Sequence, residues 1–171
     1  MIVGPDALVV ALADGAGGTG NGAAAAQAVI DAVAARQDWQ ALDEDPARLG
    51  HGQTTAIVLT VDANGIEGAS VGDSEAWLIG DEVTELTARQ VRKPLLGSGC
   101  MPVGFAAGPI GTATLLVASD GLVRYAKQQD IARIARGADL VAAARALVEL
   151  VRLPSGGLQD DVAVVLVRRL R

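Results

Sequence analysis

The stretch Leu12-Ala13-Asp14-Gly15-Ala16-Gly17-Gly18 constrains this chain more than any other. It follows the apolar run Ala7 to Ala13 and opens onto an alanine-rich segment. A carboxylate at the end of a buried strand, followed by three glycines within four positions, is poor packing material. It makes sense where the backbone must turn sharply and come close to something charged. Two more acid sites, Ser119-Asp120-Gly121 and Gln159-Asp160-Asp161, also stand where apolar runs begin or end. Hard divalent cations such as Mg²⁺ or Mn²⁺ take oxygen ligands, so the expectation is that these acids meet at one metal site.

The 171 residues suit a single domain, 1–171, with a sizeable core. Half are hydrophobic but only 2% are aromatic, so that core must be built from Ala, Val, Leu and Ile. A net charge of -6 leaves nothing to neutralise a row of phosphates, which argues against a nucleic-acid partner. Cys100 is the only cysteine, which excludes an internal disulfide and a thiolate metal cluster. No signal peptide is recognisable, and no apolar run reaches the roughly 18 to 20 residues of a membrane helix. No membrane association is expected, and a cytoplasmic location is the default.

Ala7 to Ala13 reads as a central strand covered on both faces. Asn21 is placed to cap a helix from Gly22 to Arg36, with Ala25, Val29 and Val33 along one stripe. Asp38 to Leu49 is polar and reads as a connection with one helical turn. Thr54 to Val61 is rich in β-branched residues; Asp62-Ala63-Asn64-Gly65 turns it, and Ile66 to Val71 returns. After Gly72-Asp73-Ser74, Glu75 to Ile79 and Glu82 to Leu86 continue what reads as an antiparallel meander. Thr87 to Gly111, with three prolines and five glycines, reads as an irregular lid or binding loop. Thr112 to Ala118 is a buried strand, Asp130 to Ala135 and Ala138 to Leu153 are helices, and Val162 to Val167 is a final strand. The longer helix has Leu140, Ala144, Leu147 and Val151 on one face. Arg168, Arg169 and Arg171 read as a solvated end. Strands grouped between helices point to an α+β fold in which helices cover sheets.

Five blocks, Asp14-Gly15-Ala16-Gly17-Gly18, Gln53-Thr54-Thr55-Ala56, Val71-Gly72-Asp73-Ser74, Ala118-Ser119-Asp120-Gly121-Leu122 and Asp160-Asp161-Val162-Ala163-Val164, occur in this order along the chain. In that order and context the sequence resembles the metal-dependent PP2C-type (PPM) serine/threonine phosphatases, from about Leu8 to Val167. The resemblance implies a four-layer α-β-β-α sandwich of two antiparallel sheets flanked by helices, with a binuclear metal site at one edge. It implies that Asp14 bridges two Mn²⁺ or Mg²⁺ ions and that Gly15 offers its carbonyl. Asp120 and Asp160 would bind the second ion, and Asp73 with Asp120 would help hold a third. The nucleophile would be a metal-bridging water rather than a side chain. The Thr87 to Gly111 stretch stands where the family has its substrate-selecting flap.

The departures from that pattern are specific. Family members usually carry an upstream strand with an Arg that contacts phosphate, then an acidic pair; residues 1–13 contain no Arg and no Glu. The chain therefore reads as a short bacterial-type member lacking the usual N-terminal strand. Glu75 stands where Arg is usual, Asp161 where Asn is usual, and Ala16 where some members carry His. The implied function is hydrolysis of phosphoserine or phosphothreonine in a phosphoprotein of a kinase or sigma-regulator pathway. The alternative is a pseudophosphatase-type binding or regulatory module with weak or no turnover.

Other residues have plainer readings. His51, alone in a Gly-His-Gly loop, reads as exposed, and Cys100 has no basic neighbour to activate it. Arg89, Arg92 and Lys93 form a basic cluster at the flap start that either steers an anionic substrate or is simply solvated. Trp39 and Trp77 read as packing residues.

Overall fold

The computed structural model describes residues 1–4, 6–17 and 20–169. Gly18, the last residue of the opening stretch, and Arg171 lie outside the described residues. Nine strands among these residues form two antiparallel sheets. The first contains β1 (Ile2–Val3), β2 (Ala7–Leu12), β3 (Ala56–Asp62), β4 (Ile66–Val71) and β7 (Val103–Ala107), in the order β1-β2-β3-β4-β7. The second contains β5 (Glu75–Ile79), β6 (Val83–Glu85), β8 (Thr114–Ala118) and β9 (Val164–Val167), in the order β6-β5-β8-β9.

Strand alternation sorts the apolar residues into three layers of core. Val10 and Leu12 of β2, with Ile57, Leu59 and Val61 of β3, face Ala76, Leu115 and Val117 of the other sheet. Val9, Ala11 and Ala13 point the other way, onto Ala25, Val29 and Val33 of helix α1 (Gly22–Ala34). The second sheet sends Trp77, Ile79, Leu116 and Ala118 outward against α2 (Asp120–Val123), α3 (Gln128–Ala135) and α4 (Leu140–Leu150). The result is the expected four-layer α-β-β-α sandwich. Trp39 and Trp77 are both buried, and a 3-10 turn at Gln40–Glu44 interrupts the connection after α1.

Several local expectations change. The chain from β3 to β6 is not one meander but two hairpins in different sheets, joined at Gly72-Asp73-Ser74. Gly72 has φ +95, and a methyl there would crowd Thr55, so the crossing passes hard against β3. The irregular Thr87 to Gly111 segment contains β7, which pairs with β4 from Ile66↔Ala107 to Ser70↔Val103. Helix α4 starts later than Ala138 because Asp139 accepts hydrogen bonds from the amides of Val141 and Ala142, at 2.8 and 3.0 Å. Its buried face uses Ala143 and Leu147 rather than Ala144.

Asn21 precedes α1 but does not cap it. With φ -100 and ψ 38 it lies outside the extended geometry that aims a cap, and its Nδ2 donates to the Gly50 carbonyl at 2.6 Å. Arg168 is not solvated: it donates to Thr114 Oγ1 and to the carbonyls of Ala135 and Gly137, tying the end of α3 to β8.

Candidate active site

Asp14 stands two residues beyond β2, and its main chain is held by the residues that lead into β3. The Thr55 amide and the Thr54 hydroxyl donate to the Asp14 carbonyl at 2.8 and 2.9 Å, and the Asp14 amide donates to Thr55 Oγ1 at 3.1 Å. Thr55 Oγ1 also lies 2.8 Å from Ser74 Oγ, beside Asp73. Thr54, Thr55 and Ser74 are buried, so these bonds are shielded from water and fix the carboxylate's base. Gly15 has a role the sequence did not reveal: a side chain there would overlap the backbone of Gly22 and Ala23 at the start of α1.

Asp120 opens α2 at the end of β8, where the preceding Ser119 is fully buried. Ser119 Oγ donates to the Asp161 carbonyl at 3.0 Å and accepts from the Ala163 amide at 2.9 Å. Gly121 completes the clamp, because a methyl there would overlap the Asp161 carbonyl oxygen. The Asp160-Asp161 loop is therefore pressed onto the start of α2, and the Asp160 carboxylate accepts from the Asp161 amide at 3.0 Å.

Asp14 and Asp120 each feel the charge of the neighbouring acids. Burial, then the charges of Asp120, Asp160, Asp161 and Asp73, push the Asp14 carboxyl up to about 6. Asp120 is raised as well, by burial and then by Asp73 and Asp160, with Arg124 and Arg92 pulling the other way. Asp14, Asp73, Asp120 and Asp160 thus lie close enough to act on one another's charge, and Asp161 adds to the field at Asp14. Among the described residues, however, no three His, Cys, Asp or Glu side chains are grouped so as to hold a metal ion. The donor set nevertheless fits a hard divalent cation: it is all oxygen, and its mutual repulsion is what such a cation would relieve.

A cavity of about 310 Å³ opens beside the acids, lined by Asp73, Glu75, Glu85, Arg92, Asp120 and Arg124 among others. Arg92 donates to Asp73 Oδ2 from Nη2 at 2.9 Å and Nε at 3.3 Å, while Arg124 Nη1 lies 3.9 Å from Asp120 Oδ2. Neither pairing was apparent from the sequence. The contact spans 19 positions for Arg92, and Arg124 could be found only from its i,i+4 spacing to Asp120. Glu75 is raised by burial and accepts a hydrogen bond from Trp77 Nε1 at 2.7 Å.

The remaining sequence candidates stand apart. His51 is exposed. Burial, then Asp43, pushes the Cys100 thiol up to about 11, which rules it out as a ready nucleophile. Asp43 Oδ1 accepts from the amides of Gly97, Ser98 and Gly99, at 2.6, 3.1 and 3.3 Å, and so anchors the expected flap.

No family model and no curated protein matches this sequence. Solved structures do. The Mycobacterium tuberculosis serine/threonine phosphatase PstP/Ppp superposes with a TM-score of 0.75 at 21% identity, covering 96% of this chain and 88% of that one. The fold is that of the PP2C-type phosphatases. The S. agalactiae serine/threonine phosphatase gives a TM-score of 0.80 at 19% identity, over 94% of this chain and 86% of that one. The catalytic domain of PstP has also been solved in complex with two manganese ions, with the same 21% identity and 0.75 TM-score. At such identities the likeness establishes a PP2C-type fold, and the activity has to be argued from the site.

Proposed function

We propose that this PP2C-like domain is a Mn²⁺- or Mg²⁺-dependent phosphatase acting on phosphoserine or phosphothreonine in proteins. The observation that carries this reading is the shared field of Asp14, Asp73, Asp120 and Asp160 beside a cavity open to a substrate. Asp14, the Gly15 carbonyl, Asp120 and Asp160 are the groups proposed to hold two cations, with Asp73 available for a third. When bound, such cations supply a water acidic enough to attack at neutral pH and positive charge for phosphoryl oxygens.

The chain's own contribution is placement. Thr54 and Thr55 hold Asp14 to the end of one sheet, and Ser119 holds the Asp160 loop to the end of the other. Carboxylates carried on two packed sheets keep their spacing without reorganisation when substrate arrives. Among the described residues no helix is long and apolar enough to cross a membrane.

The test is a Mn²⁺ titration of aryl-phosphate hydrolysis by the parent protein, Asp14→Ala and Asp120→Ala. The parent is expected to show metal-dependent turnover that both variants lose by at least about a hundredfold. Equal activity in all three would refute the assignment. Cation binding without turnover would favour the pseudophosphatase alternative.

A further inference from the structure

Arg92 and Arg124 are the two guanidiniums that share the cavity with Asp73 and Asp120. They come from separate elements, the loop after β6 and the end of α2. Each leans on an acid of the candidate metal site without being consumed by it. Both hydrogen bonds from Arg92 fall on the single oxygen Oδ2 of Asp73, and its side chain is 67% exposed. Arg124 stands beyond hydrogen-bond distance of Asp120 and is 59% exposed. Exposed pairs of this kind contribute little to stability, so the guanidiniums are easily given up to another anion.

A guanidinium offers five N–H donors in a planar fork suited to the oxygens of a phosphoryl group. We propose that Arg92 and Arg124 form a phosphoryl-binding pair, holding the phosphate of the substrate and afterwards the product in the cavity beside the acids. The proposal rests on the phosphatase reading. The lining also sets a condition. Asp73, Glu75, Glu85 and Asp120 outnumber the two guanidiniums, so the cavity takes a phosphate dianion only after divalent cations have neutralised the aspartates. Arg92 then has two opposed effects. It competes with a cation for Asp73, and it attracts the phosphoryl group once the cation is in place.

Calorimetric titrations of Mg²⁺, and then of inorganic phosphate into the Mg²⁺-saturated protein, test the pair without recourse to turnover. Arg92→Ala and Arg124→Ala are each expected to weaken phosphate binding by about tenfold or more, with Lys at either position restoring part of it. Arg92→Ala should at the same time bind Mg²⁺ at least as tightly as the parent, a combination that general damage to the fold does not produce. With the cation chelated, phosphate should not bind. Unchanged phosphate affinity in the double variant would overturn the pair. So would failure of the Mg²⁺-loaded parent to take phosphate, and in that case aryl-phosphate hydrolysis shows separately whether the phosphatase reading survives.

Discussion

Replacing Asp14 by Asn separates two demands on one carboxylate. In the metal-free protein this group is a liability, pushed up to about 6 from an ordinary 3.8 by burial and by four neighbouring acids. The folded protein therefore keeps the proton to higher pH than the unfolded chain does. Between those two values the native state binds more protons, so stability falls as pH rises and stays lower above about pH 6. Undiscounted, the shift corresponds to roughly 3 kcal/mol. Asp14 is partly exposed, and solvent screening reduces this to about 1 kcal/mol.

Asn keeps the shape and removes the charge. In EDTA at pH 7, Asp14→Asn is expected to be more stable than the parent by about 1 kcal/mol, with the difference closing as pH falls towards 4. With Mn²⁺ the order reverses, because the parent gains binding energy that the variant has lost. Urea denaturation followed by the fluorescence of the two buried tryptophans reads both conditions. A variant less stable than the parent in EDTA at pH 7 would refute the argument from repulsion. A variant stabilised by Mn²⁺ as much as the parent would refute the placement of Asp14 at the cation.

Three further outcomes follow from the scaffold. Ser119→Ala removes a buried hydroxyl with two partners and should cost about 1–3 kcal/mol in urea; it should also weaken Mn²⁺ binding, and unchanged affinity would mean that Ser119 does not hold the Asp160 loop. Asp43→Ala takes the acceptor from the amides of residues 97–99, which should then exchange hydrogen faster by mass spectrometry. Because Asp43 helps hold the Cys100 thiol up, the same variant should be alkylated faster by iodoacetamide at pH 8. Arg168→Ala loses the tie between α3 and β8 and should lower stability by about 1–3 kcal/mol while leaving the response to Mn²⁺ intact.

The parts of this fold that were legible in the sequence are those decided locally. Asn64-Gly65 marks the β3–β4 hairpin, where Asp62 Oδ1 accepts from both amides of the turn at 2.7 and 3.0 Å. The stripe Ala25, Val29, Val33 is buried because a 3.6-residue period leaves it no other face to turn to the sheet. What depended on distant partners was not legible. Val103-Gly104-Phe105-Ala106-Ala107 has weak strand character of its own, and becomes β7 because the open edge of β4 supplies its hydrogen bonds. The jump between sheets at Gly72 is invisible in a run of alternating hydrophobics. Arg92 looked like one of three loose cations, and only the folded chain brings it to Asp73.

The glycines beside the acids are the instructive case. From sequence those after Asp14 suggested a backbone that must approach a charge, but at Gly15, and at Gly121 beside Asp120, what lies against the missing side chain is backbone. Gly15 lets the Asp14 loop lie on the start of α1, and Gly121 lets the Asp161 carbonyl lie on the start of α2. Carboxylates that repel one another will not gather unless their main chains are forced together. Tight backbone contacts and the hydroxyl clamps of Thr54, Thr55 and Ser119 supply that force. The repulsion is then stored in the raised acids at Asp14 and Asp120, the groups proposed to take a cation. A sequence shows that small residues flank the acids; which surface each one meets is decided only when two sheets and their helices close around the site.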